Sequence, residues 1–291
     1  MSGASPRASL FGWPDRSLAL AEPGALCVVG APTDLGNPIA RGAAKGPAAI
    51  REASQLLAPP RVPGCDWGDV AGPANLARYL ERLAETTKDI LARGLRPLFL
   101  GGDHSISYAP VSVLQSAGDL CLVWIDAHTD FSPWEGTPFH DHKQVLRRLS
   151  KLPGVRRIVQ IGYRGITVGD ERSLGDDAVV ITSARARNLS DAELLALVPE
   201  ALPCYVSIDI DAVDPFHAPG TGAPVPDGLH PLHVRRILSA LVRERRISGL
   251  DVVEVNPVLD VQTSTSAIAA ELIREAADHW HSQLGRSNRA S

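Results

Sequence analysis

The chain has 291 residues, of which 44% are hydrophobic and 21% charged, and a formal net charge of −4. That is enough apolar mass for one large core. The charge balance and the lack of a basic run with interleaved aromatics speak against nucleic acid as a partner. No apolar stretch reaches 18 residues and no apolar leader opens the chain, so the expectation is a cytoplasmic protein that neither crosses nor binds a membrane.

Residues 1–24, rich in Ser, Pro, Gly and Ala, read as a loose N-terminal arm, and 25–291 as a single domain. Leu26–Val29 is the first strand, followed by a Gly/Pro-rich loop to Pro38. A helix then starts near Pro47 and runs to about Leu57. It is not a phosphate loop, because no Gly-Lys-Ser/Thr closes it. Apolar positions at 76, 79, 80, 83 and 90 have helix spacing, and Gly94 is the stop. Strands ending at Leu100, Ile125 and Ile208 alternate with helices near 106–116 and 141–150. Further strands lie at 157–161 and 178–181, and Ser190 with Glu193 forms a capping box for a helix to Val198. An irregular stretch, 214–228, precedes a helix over 231–245, a strand over 247–255 and a last helix over 265–284. This alternation predicts one α/β domain with a mainly parallel sheet. The four cysteines show no pair spacing, and Cys27, Cys121 and Cys204 sit in apolar runs, so they read as reduced core thiols.

Three of the strands end in polar clusters. Leu120–Ile125 runs into Asp126-Ala-His128-Thr-Asp130, Pro97–Leu100 into Gly101-Gly-Asp-His104-Ser105, and Pro203–Ile208 into Asp209-Ile-Asp211. On an extended backbone, side chains two apart share a face, so Asp126, His128 and Asp130 are expected to converge there. Sites in open α/β sheets form beyond the carboxyl ends of strands. Pooled, the three ends offer His104, Asp126, His128, Asp130, Asp209 and Asp211. Four carboxylates gathered closely repel unless cations join them, and two divalent metals match that charge. Carboxylate and imidazole without thiolate favour Mn²⁺ over Zn²⁺. Such a pair makes hydroxide from water near neutral pH.

Five motifs in order, Gly-Gly-Asp-His-Ser (101–105), Asp-Ala-His-Thr-Asp (126–130), Ser-Ile-Asp-Ile-Asp-Ala-Val-Asp-Pro (207–215), Ala-Pro-Gly-Thr-Gly (218–222) and Gly-Leu-Asp-Val-Val-Glu-Val-Asn-Pro (249–257), resemble the ureohydrolase superfamily of arginases, agmatinases and related amidinohydrolases. The resemblance spans nearly the whole chain and is nearest the agmatinase type. It implies a single-domain, three-layer α/β/α sandwich, arginase-like, and a homo-oligomer, trimer or hexamer. It also implies two Mn²⁺ per subunit, one held by His104, Asp126, Asp130 and Asp209. The other would be held by His128, Asp126, Asp209 and Asp211. A bridging hydroxide would attack a guanidinium carbon to give urea and an amine. Asp130 would orient it, and Glu254 would pair with the guanidinium, whose planar fork suits a carboxylate.

The chain departs from the family pattern in places. Glu135 stands before Gly-Thr-Pro-Phe where guanidino hydrolases carry a shuttle histidine. Either Glu135 moves the proton or binds a cationic part of the substrate, or His140, or His142, takes the shuttle role. Both histidines also read as an exposed helix start, the preferred reading for His142. Four residues between Asp130 and Glu135 are too few for the segment that holds an α-carboxylate in arginases. Gly165 follows Arg164 where arginases carry an aspartate, so L-arginine is a poor substrate candidate. A formimino substrate, as in formimidoylglutamases, and a non-catalytic metal-binding homologue remain as alternatives.

Overall fold

A computed structural model describes residues 8–14, 22–62, 64–132, 141–164, 175 and 177–280. Eight strands form one sheet: β1 (Leu26–Ala31), β2 (Gly64–Asp69), β3 (Arg96–Gly101), β4 (Leu120–Ile125), β5 (Val155–Tyr163), β6 (Ala178–Thr182), β7 (Cys204–Asp209) and β8 (Ile247–Val253). Their spatial order is β2-β1-β3-β8-β7-β4-β5-β6, and every pairing is parallel. Parallel strands need crossovers, and those place helices on both faces. Accordingly β1, β4 and β7 are buried at all six positions, which explains their unbroken apolar runs.

One layer holds α1 (Gly46–Ser54), α5 (Ser183–Asn188), α6 (Asp191–Leu197), α7 (Pro231–Glu244) and α8 (Ser264–Trp280). They cover the face that presents Val28, Leu100, Val123, Val206 and Val252. The opposite layer holds α2 (Leu76–Ala92), α3 (Tyr108–Ser116) and α4 (Val145–Leu149), over Val29, Phe99, Leu122, Trp124 and Tyr205. Each fully buried Val or Leu contributes roughly 1.5–3 kcal/mol relative to exposure. The three-layer α/β/α arrangement expected from the sequence is therefore present.

Several local signals act as read. Ser190 and Glu193 form the reciprocal capping box of α6, and Gly94 follows α2 at φ +70°. Other features differ. Residues 8–14, expected within a loose arm, are tied down: Leu10 N–H donates to Asp66 Oδ2 (2.8 Å), Phe11 N–H to Ser54 Oγ (2.9 Å), and Leu10 and Trp13 are buried. β2 was not foreseen. Its Gly and Asp residues are poor strand formers, but the buried Arg51 of α1 bonds both Asp66 oxygens at 2.7 Å and Asp69 at 2.7 Å. The cysteines do pair in space, Cys27 beside Cys65 and Cys121 beside Cys204 on neighbouring strands, with all four thiols free.

Candidate metal centre

Four adjacent strands, β3, β8, β7 and β4, deliver the cluster from their carboxyl ends. His104 opens a short 3-10 turn after β3, capped by Asp103, whose side chain accepts from Ser105 N–H. Gly102 is required there: a Cβ would stand 2.0 Å from the Thr33 carbonyl oxygen. Asp209 ends β7 and accepts from Asp211 N–H (2.9 Å) as the chain turns into the Ile210–Ala212 3-10 turn. Glu254 follows β8 in a left-handed conformation, φ +60°.

The stretch 126–130 is not extended, contrary to expectation. β4 stops at Ile125, and Asp130 has φ +49°. Convergence arises from a folded loop instead. Asp126 Oδ1 accepts from His128 N–H (2.6 Å), Asp211 Oδ1 from Ala127 N–H (3.1 Å), and Gln160 Nε2–H donates to the His128 carbonyl.

His104 Nδ1 lies 3.3 Å from Asp126 Oδ2, 3.0 Å from Asp130 Oδ2 and 3.1 Å from Asp209 Oδ2. His128 Nδ1 lies 2.9 Å from Asp211 Oδ2 and 3.6 Å from Asp126 Oδ1. Donor atoms of His104, Asp126 and Asp209 gather within 4.8 Å of one another, as do those of Asp126, His128 and Asp211. The two groups share Asp126. The six residues pooled from the sequence are thus brought together, and Glu254 borders the same cavity. Glu135 and His140 lie outside the described residues. His142, read as exposed, lines the cavity, its Nδ1–H donating to the Gly36 carbonyl at 2.6 Å.

Electrostatically the cluster is short of positive charge. Burial and the Asp126 charge push Asp130 up to about 7. Burial, with Asp211 and Asp126 nearby, raises Asp209 well above the carboxylate range. Burial and Asp103 do the same to Glu254. Burial opposes a charged imidazole, yet neighbouring carboxylates raise His104 well above the histidine value and, led by Asp211, push His128 up to about 12. Without cations the cluster must hold protons; divalent ions would replace them. The fit is also chemical. His104 Nδ1 is buried with no hydrogen-bond partner, facing three carboxylate oxygens.

The residues behind the cluster were given no role by the sequence, although Ser207 and Asp251 lie within its motifs. The Ser207 hydroxyl donates to Asp251 Oδ1 (2.6 Å) and stands 2.8 Å from His104 Nε2. With the Ser207 hydrogen committed to Asp251, the oxygen accepts from His104 Nε2–H. That bond leaves the Nδ1 lone pair for the cluster. Tyr205 OH donates to the other Asp251 oxygen (2.7 Å). Trp124 stacks on His104 with centroids 4.1 Å apart and donates to Asp126 Oδ2 (2.9 Å). Only the strand register (Trp124 beside Ser207, Ser207 beside Asp251) brings them together. Arg164 braces the rim, donating to the carbonyls of Asp211 (2.7 Å), Val225 (2.8 Å) and Pro226 (3.0 Å).

The Arginase family profile matches residues 25–278. The chain is 33% identical to the mitochondrial agmatinase of Gallus gallus, over 94% of this chain and 92% of that one. It is also 33% identical to the mitochondrial guanidino acid hydrolase of Homo sapiens, over 85% and 76%. The solved structure of proclavaminate amidino hydrolase from Streptomyces clavuligerus matches with a TM-score of 0.82 at 31% identity, covering 95% of this chain and 99% of that one. The chain therefore belongs to the arginase family. It is a hydrolase of C–N bonds, an amidinohydrolase.

Proposed function

We propose that this protein releases urea from a small guanidino compound, using two Mn²⁺ ions. The observation that carries the reading is the pair of His/carboxylate groups sharing Asp126 at a small cavity. His104, Asp126, Asp130 and Asp209 would hold one ion, and His128, Asp126, Asp209 and Asp211 the other. When bound, the ions supply Lewis acidity and lower the pKa of water near neutrality.

The chain's own groups then position the substrate and manage protons. Glu254 Oε1 is committed to His104 N–H at 2.9 Å, which fixes the carboxylate and leaves Oε2 to meet a guanidinium N–H. Burial makes ionised Glu254 costly, so a cationic substrate is the partner that offsets it. Asp130 Oδ2, close to His104, is placed to accept a proton from the attacking water and hand it on. Protonation of the departing amine falls to Glu135, His140 or His142. Comparing turnover of Glu135→Gln, His140→Ala and His142→Ala separates the three.

The test is urea release by Mn²⁺-loaded protein from agmatine, arginine, 4-guanidinobutyrate, 3-guanidinopropionate and guanidine. A metal-stripped sample is the control. Metal-dependent urea from at least one compound is expected, with arginine poor. Urea from none, with two ions bound, would overturn the reading in favour of a formimino substrate or a metal-binding role.

A further inference from the structure

The residues lining the cavity fall into two chemically opposed sets. One is the acid-rich cluster with Glu254. The other contains no carboxylate among the described residues: Asn37, Ser132, His142, Lys143 and Thr221. Contacts between separate loops join four of these five. Ser132 N–H donates to the Lys143 carbonyl (2.8 Å), and His142 bonds Gly36 beside Asn37.

Two features of this second set call for a ligand. Ser132 and Thr221 are 7% and 2% exposed, and both hydroxyl oxygens are buried with no hydrogen-bond partner. Leaving such a group unpaired costs its full desolvation penalty, which a bound polar group would remove. Lys143, in turn, makes no ion pair with any described carboxylate, although the cavity it borders is rich in them. Lys143 is exposed at the border of the cavity, so its ammonium is free to meet an anionic group that enters there.

We infer that the cavity selects a guanidino compound whose other end is a carboxylate, an ω-guanidino acid. This rests on the guanidino-hydrolase reading above. The guanidinium meets Glu254 and the acid cluster. The carboxylate meets the Lys143 ammonium, and the Ser132 and Thr221 hydroxyls donate to its oxygens. A substrate ending in an ammonium would set like charge against Lys143, which discriminates against it.

The experiment compares kcat/KM for 4-guanidinobutyrate and agmatine in Mn²⁺-loaded native protein, Lys143→Met, Lys143→Arg and Thr221→Val. Thermal melting and metal content verify that each variant is folded and loaded. The native protein should prefer the guanidino acid by about tenfold or more. Lys143→Met should erase that preference, chiefly through KM for the acid, Lys143→Arg should keep it, and Thr221→Val should raise KM for the acid. Preference of the native protein for agmatine would overturn the inference and leave urea chemistry standing. So would equal slowing of both substrates in Lys143→Met. Urea from neither compound, nor from any other guanidine, would remove the functional reading and this inference together.

Discussion

Two buried charge clusters sit in this molecule, and they are balanced in opposite ways. Around α1, Arg51 supplies its own cation to Asp66 and Asp69. Burial acts against a charged Asp66, but the bonded guanidinium holds its carboxyl below the usual range. At the carboxyl ends of β3, β4 and β7, the acids have two imidazoles among the described residues, and Asp130 and Asp209 are pushed upward. A cluster completed by the chain itself is a fastening. A cluster that the chain leaves short of cations must hold protons unless cations join it.

The comparison breaks most sharply at Asp126, the residue common to both donor groups. Asp126→Asn should lose metal from both positions, measured by elemental analysis. Urea release should fall well beyond the roughly 10–100-fold loss typical of a residue behind a metal ligand. Unchanged metal stoichiometry would rule out a shared ligand. Next in size, Arg51→Met strands Asp66 and Asp69 and should cost about 3–5 kcal/mol in denaturant unfolding, without changing metal stoichiometry. Because the folded-state pKa of Asp66 is depressed, its stabilisation is present above the ordinary carboxylate pKa and lost as pH falls through the folded value. The gap between native and Arg51→Met should therefore be widest near neutral pH and narrow below about pH 4. The smallest expected effect is Ser207→Ala. It should weaken Mn²⁺ affinity about 10–100-fold, read by titration, because His104 loses the partner that fixes its tautomer. An unchanged affinity would mean that the cluster alone sets the ring.

The contrast also marks how far the sequence could be read. The cluster residues were legible because each follows an apolar run in a short, dense motif. Their geometry was not: Asp126–Asp130 converges through a loop with a left-handed Asp130, not through strand alternation. β2 was hidden because the cation that makes its aspartates tolerable lies on α1, outside any local window. The Ser207–Asp251 contact depends on sheet register across a separation of 44 residues. Ser132, Lys143 and Thr221 belong to no periodic pattern, and the cavity that joins them forms only on folding. Residues 8–14 looked featureless because their anchors, Asp66 and Ser54, are distant in sequence.

Trp124 has one further consequence. Its indole lies parallel to the His104 ring, with 2° between the ring planes, and donates to the shared Asp126. A protonated imidazole in stacking contact quenches indole emission by accepting an electron from the excited state. Exchange of that proton for a cation alters the quencher and the indole hydrogen bond together. Trp124 emission should therefore change on metal loading, and Trp124→Phe should remove that change, read by fluorescence against the other four of the five tryptophans.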